Sequence, residues 1–328
     1  MKIKQHTNKI KQPTNKVHSF LKYWCNFHRQ GAKPNIFIFS TPRSGSTWLM
    51  ELMLTQNGFK ACNEPFNLRM KEVAATLEIQ DWDTLYSDKA LPRMESHITA
   101  FSEGKLKVAF KNRYPWQAYY RLFTDRMVFK ILHAGHEKID WFIRTFDAQV
   151  VYMTRHPLPV ALSRTELPRL STFINSEYSR FFSAEQIMHA KRIEAEGSHI
   201  QKAVLDWCLH NAPAVKLHMD KVLFVTYEQL VLDPEPVVNA MSRHLDLEDA
   251  SRIIDKISAP SGSVNQSTRE TAAALASKTG KEKAWLIEKW RTNFSADEEQ
   301  KLMDLLPVFE LDIYRAGSYV PAEKYWLK

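Results

Sequence analysis

Apolar positions along this chain gather into short β-branched or aromatic runs, separated by longer stretches with helical spacing. The runs predict strands at Ile36–Phe39, Leu106–Phe110, Val128–Leu132, Val150–Met153 and Val222–Val225. Nearly continuous apolar character over so few residues is the mark of a strand buried on both faces. Helices are predicted near Leu49–Thr55, Lys138–Phe146 and Ala203–Met219. Strand and helix in alternation imply an α/β fold, with a mainly parallel central sheet flanked by helices. Such sheets bind ligands beyond the carboxyl ends of their strands. The residues just after each run are therefore where chemistry is expected. No internal repeat or low-complexity tract breaks the pattern.

The run ending at Phe39 continues as Ser40-Thr41-Pro42-Arg43-Ser44-Gly45-Ser46-Thr47-Trp48-Leu49. A strand, a tight loop carrying glycine and hydroxyls, and then a helix start is a recipe for holding phosphate. Loop and first-turn N–H groups point at the anion, and the helix dipole adds favourable potential. Gly45 permits close backbone approach, Ser44, Ser46 and Thr47 offer hydroxyls, and Arg43 brings a permanent charge. The nucleotide-triphosphate loop G-x-x-x-x-G-K-[ST] is not present, because Ser46 stands where its lysine belongs and Ser40 where its first glycine belongs. The plain alternative is a serine-rich turn capped by Ser44 or Ser46.

The loop resembles the 5′-phosphosulfate loop of sulfotransferases, which use 3′-phosphoadenosine 5′-phosphosulfate (PAPS) as donor. A second segment strengthens the likeness. The run Gln149–Met153 ends in Thr154-Arg155-His156-Pro157, and Ser163 lies eight residues after Arg155. In that family an Arg at such a strand end, and a Ser eight residues on, clamp the donor's 3′-phosphate. Charge-assisted guanidinium donors suit that task. The resemblance implies a P-loop-NTPase-like sulfotransferase fold, closer to the carbohydrate and bacterial type than to the cytosolic phenol type. It places Arg43, Ser44, Gly45, Ser46, Thr47 and Trp48 on the 5′-phosphosulfate, and Arg155 and Ser163 on the 3′-phosphate. An Arg bound to a carboxylate and a Ser facing solvent are the plain alternatives for the second pair.

Two residues compete to take the acceptor's proton. Glu64, in Asn63-Glu64-Pro65-Phe66, matches the glutamate proposed as base in the carbohydrate-type enzymes; burial among aromatic groups is expected to raise its pKa. Its plain role is a cap or surface ion pair. His133 ends the run Phe129–Leu132 and precedes Arg155 by 22 residues, about the separation of the catalytic His in the cytosolic type. It lacks that motif's Lys two before and Pro two after, since Lys130 is three before and Gly135 two after. It is otherwise a satisfied strand-end polar residue. Lys130 and Lys111 are weaker candidates for neutralising charge, whereas Arg43, with the loop N–H groups, is expected to stabilise charge growing on the leaving phosphate.

Further on, Val225-Thr226-Tyr227-Glu228-Gln229-Leu230 and Trp290-Arg291-Thr292-Asn293-Phe294-Ser295 resemble later segments of the same family. Tyr227 is expected either near the donor's adenine or in the core. The stretch 262–280, with Ser267, Thr268, Arg269 and Lys278, reads as a basic loop over the donor, with Lys281 beside it. In-line sulfuryl transfer from PAPS to a hydroxyl acceptor, a carbohydrate or other alcohol and not a nucleic acid, with general-base assistance, is the activity the resemblance implies. No metal is expected. A P-loop kinase or nucleotide phosphotransferase, and a non-catalytic nucleotide-binding protein, are the alternatives. Segments 66–105 and 165–200 carry least motif content and are expected to shape the acceptor site with Phe66, Trp82, Tyr86, Tyr178, Phe181 and Phe182.

Composition changes the picture in one place. The 328 residues, 44% apolar and 12% aromatic, suffice for one enzyme-sized core. Residues 1–34 hold eight Lys and Arg and no acid, which equals the whole chain's net charge of +8. The division expected is a basic extension over 1–34 and a single domain over 35–328. A charge-balanced body argues against nucleic acid, while the extension reads as a solvated tail, or one contacting an anionic membrane or acidic partner. Val17–Phe27 is apolar enough to dock instead. No run approaches the roughly 18 apolar residues of a span, and no secretory signal is evident. Cys25, Cys62 and Cys208 are widely spaced, as expected of reduced thiols. A cytoplasmic enzyme is the expectation; oligomeric state is not legible.

Overall fold

A computed structural model describes residues 26–106, 121–258 and 280–328. Seven strands are present among them: β1 (Phe27–His28), β2 (Ile36–Ser40), β3 (Phe59–Asn63), β4 (Phe123–Thr124), β5 (Arg126–Ile131), β6 (Gln149–Thr154) and β7 (Leu223–Thr226). Five of them form a wholly parallel sheet in the order β3-β5-β2-β6-β7. β1 and β4 form a separate parallel pair. β1 lies upstream of residue 35, so ordered pairing begins within the stretch read from charge alone as an extension.

Alternation along each strand explains the two cores. Ile36 and Ile38 of β2 join Val128, Val151, Met153 and Val225 on one face, packed against the helix Ser46–Met53. Phe37 and Phe39 point the other way and join Phe129, Ile131 and Tyr152 beneath the long helix His199–His218. Both faces are thus covered, and every residue of β2 and β5 is buried.

The predicted strands at Ile36, Val128, Val150 and Val222 are present within one or two residues at each end. Leu106 is not in a strand, and the rest of Leu106–Phe110 lies outside the described residues. β3 was not predicted. It is an edge strand in which only Phe59 and Cys62 are buried, so Lys60 and Asn63 break the apolar run. The helix expected from Leu49 begins at Ser46, directly after the loop. The helix expected over Ala203–Met219 begins at His199, because Ser198 and Gln201 form a capping box.

β2 is flanked by β5 and β6, and the chain reaches these neighbours on opposite sides of it. That is the switch point of an open α/β sheet, where ligands bind.

Candidate active site

Each of the five sheet strands delivers one candidate residue from its carboxyl end. β2 runs into the Thr41–Gly45 loop and the helix Ser46–Met53, β3 into Glu64, β5 toward His133, β6 into Arg155 and β7 into Tyr227. Parallel register makes this convergence unavoidable.

The loop after β2 closes on itself through the Thr41 and Ser44 hydroxyls, 2.5 Å apart, with Ser44 fully buried. Arg43 and Gly45 adopt left-handed backbone, at φ 76° and 94°. Gly45 is the N-cap of the helix Ser46–Met53, and no side chain caps that terminus. Neither Ser44 nor Ser46 therefore plays the capping role open to it, and first-turn N–H groups have no intrahelical partner. A Cβ on Gly45 would lie 2.6 Å from Tyr227 Cδ2 and 3.1 Å from Met153 Cε. Gly45→Ala is accordingly expected to destabilise the fold by about 1–3 kcal/mol and to distort the loop, read by urea unfolding.

Arg155 leans on this loop. Its guanidinium lies 4.2 Å from the Tyr227 ring centroid, and Nη1 donates to the Arg43 carbonyl at 3.5 Å. Tyr227 also meets Trp48 edge-on at 5.8 Å. Tyr227 is thus a wall between the two arginine motifs. Arg43 has its pKa lowered by burial and by the charge of Arg155. Among the described residues, neither arginine pairs with a carboxylate. Two like charges held together without an acid fit an anion between them.

The backbone presenting Arg155 is pinned from three sides. Glu228 accepts the His156 N–H at 2.9 Å and the Tyr314 hydroxyl at 2.6 Å. Trp207 Nε1 donates to the Arg155 carbonyl at 3.0 Å. Trp290 stacks on His156, with centroids 4.4 Å apart. The distant Tyr227-Glu228 and Trp290 segments therefore converge on one turn. Ser163 is the C-cap of the helix Pro157–Leu162, and its hydroxyl donates to the Val160 carbonyl at 2.8 Å. It sits just past the helix end rather than within it.

Glu64 and His133 form one cluster. Glu64 adopts φ 59° and opens a turn in which Asn67 N–H donates to its carbonyl at 3.1 Å. Asn67 Nδ2 donates to Oε2 at 2.8 Å, and Lys130 Nζ is 3.1 Å from Oε1. His133 Nε2 lies 3.6 Å from Oε2. Lys130 follows Val128 by two residues, so it points to the face carrying the loop helix, and Nζ also donates to the Thr47 hydroxyl at 2.8 Å. Lys130 thereby joins the base candidate to the phosphate loop.

This geometry reverses the expectation of a raised Glu64 pKa. Burial does push it up, but the N–H of His133 facing it, the charge of Lys130 and their companions outweigh it, holding the carboxyl well below the usual range. Glu64 is ionised at neutral pH. His133 is lowered to about 4 by burial and by Arg169, and is neutral there.

Phe66, Tyr86 and Tyr178, expected at the acceptor site, are instead fully buried in the core. Trp82 alone of the six is placed against the cluster, its ring 5.3 Å from His133. Lys281 is exposed near the start of the helix Gly280–Glu288. Lys111, Ser267, Thr268, Arg269 and Lys278 lie outside the described residues. Sequence reasoning missed Asn67, which Pro65 in a turn position could have signalled. It also missed Arg169, for which the sequence holds no signal.

A sulfotransferase family model matches residues 34–251, about two-thirds of the chain. The chain belongs to the sulfotransferase family, and is an enzyme of that class. A search of curated sequences finds no match. Among solved structures it is similar to the sulfotransferase domain of the Synechococcus olefin synthase, at 19% identity and TM-score 0.43, covering 87% of this chain and 98% of that one. It is similar also to the sulfotransferase domain of the curacin biosynthetic pathway, at 16% identity and TM-score 0.43, covering 86% and 99%. A mouse sulfotransferase complexed with PAP, the desulfated donor, gives 14% identity and TM-score 0.40, covering 84% of each chain. No helix among the described residues is long and apolar enough to cross a membrane.

Proposed function

We propose that this protein transfers a sulfuryl group from PAPS to the hydroxyl of a carbohydrate or other alcohol by in-line displacement. The observation that carries this reading is the meeting of the Arg43–Arg155 pair with the Glu64–Lys130–Thr47 chain at one sheet edge. PAPS supplies a sulfuryl group bonded to a phosphate that can leave. Arg43 and the Ser44, Gly45, Ser46, Thr47 and Trp48 backbone suit its 5′ end, while Arg155 and Ser163 suit its 3′-phosphate and Tyr227 its adenine. The uncapped helix and the unpaired arginines fit that anionic partner.

Glu64 is the base in this reading, accepting the proton of the acceptor hydroxyl. It is ionised, partly open to solvent, and held by Asn67, Lys130 and His133. Negative charge arriving at Thr47 competes for Lys130, which loosens its hold on Glu64 and raises the carboxylate's basicity. Trp82 supplies an aromatic surface against His133, the neighbour of Glu64, which supports an alcohol carried on a sugar-like frame. Buried, unpaired Cys62 and Cys208 support a reducing, cytoplasmic setting. A single domain from about residue 35 onward is part of the same reading.

The test is transfer of label from PAPS to a panel of sugars, aliphatic alcohols and phenols. Labelled product on sugars or alcohols is expected. Transfer to phenols alone would overturn the acceptor class, and turnover of ATP with Mg²⁺ instead would overturn the reaction.

A further inference from the structure

Arg169, the residue before the helix Leu170–Asn175, is 1% exposed and lies behind His133. Its Nη1 donates to His133 Nδ1. Its Nε and Nη2 lie 3.3 and 3.1 Å from His210 Nε2. The Trp82 ring centroid is 5.7 Å from the guanidinium carbon. Among the described residues Arg169 makes no ion pair; the nearby Asp206 is 2.9 Å from Arg164 instead.

A guanidinium has only donors and keeps its charge. The nitrogens it faces must therefore be lone-pair acceptors. For His133 this leaves the single proton on Nε2, the nitrogen turned toward Glu64 Oε2 at 3.6 Å. We propose that Arg169 is a positioning residue that locks His133 as the neutral Nε2–H tautomer, turning a fixed N–H toward Glu64 and denying the imidazole the role of base. The proposal rests on the reading of Glu64 as base given above.

The groups facing His133 agree. Arg169 and Arg164 oppose its protonation and Glu64 favours it, while burial is the largest influence and opposes it. Behind them stand His136 and His210, both also held neutral mainly by burial and then by Arg169, and Asp206, which is engaged by Arg164. Among these groups no carboxylate faces Nδ1 to accept a proton from it; Arg169 Nη1 does, as a donor.

Nitrogen NMR of the imidazoles tests this directly. The 12 histidines are labelled with ¹⁵N, and His133 is assigned by the signal lost in His133→Gln. The expected wild-type result is a lone-pair-type Nδ1 and a protonated Nε2, neither moving between pH 5 and 8. A protonated Nδ1, or titration near 6.5, would overturn the proposal. In Arg169→Met, Nδ1 loses its fixed donor, so the His133 signals are expected to shift toward a mixture of both tautomers. Its pKa is expected to rise above the wild type's while burial still holds it under 6.5, and turnover to fall more steeply toward acid pH than in the wild type as the cation pairs with Glu64. PAP affinity should stay unchanged. An Arg169→Met protein in which His133 keeps the same tautomer without titrating would also overturn it. Should that variant not fold, the wild-type spectrum still decides. Failure of the Glu64 reading would leave the spectrum as expected but spare turnover in Glu64→Gln, so the two failures are distinct.

Discussion

Replacing Arg155 by alanine is expected to weaken PAP binding by at least about 100-fold, equivalent to roughly 3 kcal/mol. The expectation follows from where the side chain stands. Arg155 is fixed by Trp207 and by the Glu228-held turn, and its guanidinium is stacked on Tyr227 rather than paired with an acid. It is therefore preorganised for an anion that it does not have to win from a carboxylate. Removing it strips charge-assisted donors from the 3′-phosphate and leaves the core untouched. Stability should change little, by about the 0.5–1 kcal/mol of an exposed cation–π contact. Calorimetry on the variant and wild type checks this, and equal affinities would remove Arg155 from the donor site.

Glu64→Gln is expected to lower turnover by about 10²–10⁴-fold while PAP affinity stays the same. The amide keeps the shape and one acceptor oxygen for Lys130 but cannot take a proton. The pH behaviour carries a second check. Because the folded carboxyl titrates below its ordinary value, its contribution to stability is present above the unfolded pKa, near 4.3, and is lost as pH falls through the lower folded value. The stability gap between wild type and Glu64→Gln should thus be widest from about pH 5 upward and close in stronger acid. Urea unfolding across that range reads it. Undiminished turnover in the variant would take the base role from Glu64.

The parts of this protein that were legible in its sequence are those set by uninterrupted local pattern. β2 and β6 are buried on both faces, so their apolar runs stand out, and the loop and Arg155 follow them directly. β3 was hidden because an edge strand needs few apolar residues, and Glu64 was placed by its Glu-Pro setting without the strand that delivers it. The direction of the Glu64 pKa could not be read at all. It depends on Lys130 and His133, far away in sequence, reaching the same carboxylate. Arg169 was invisible for a related reason: a basic residue in a motif-poor segment gives no sign that it will be buried between two imidazoles. Trp290 was noticed as a resemblance, but its work, stacking on His156 behind Arg155, emerges only from packing.

Calorimetric titration of the whole chain with PAP, and in parallel with ADP and with ATP plus Mg²⁺, tests the central claim most directly. PAP carries its second phosphate on the 3′ position and ADP on the 5′ chain, so the comparison sets the Arg155 site against the 5′ loop. The account predicts PAP binding at about micromolar or tighter, near −8 kcal/mol, with ADP weaker by at least about tenfold. Equal binding of PAP and ADP, or a preference for ATP with Mg²⁺, would contradict it.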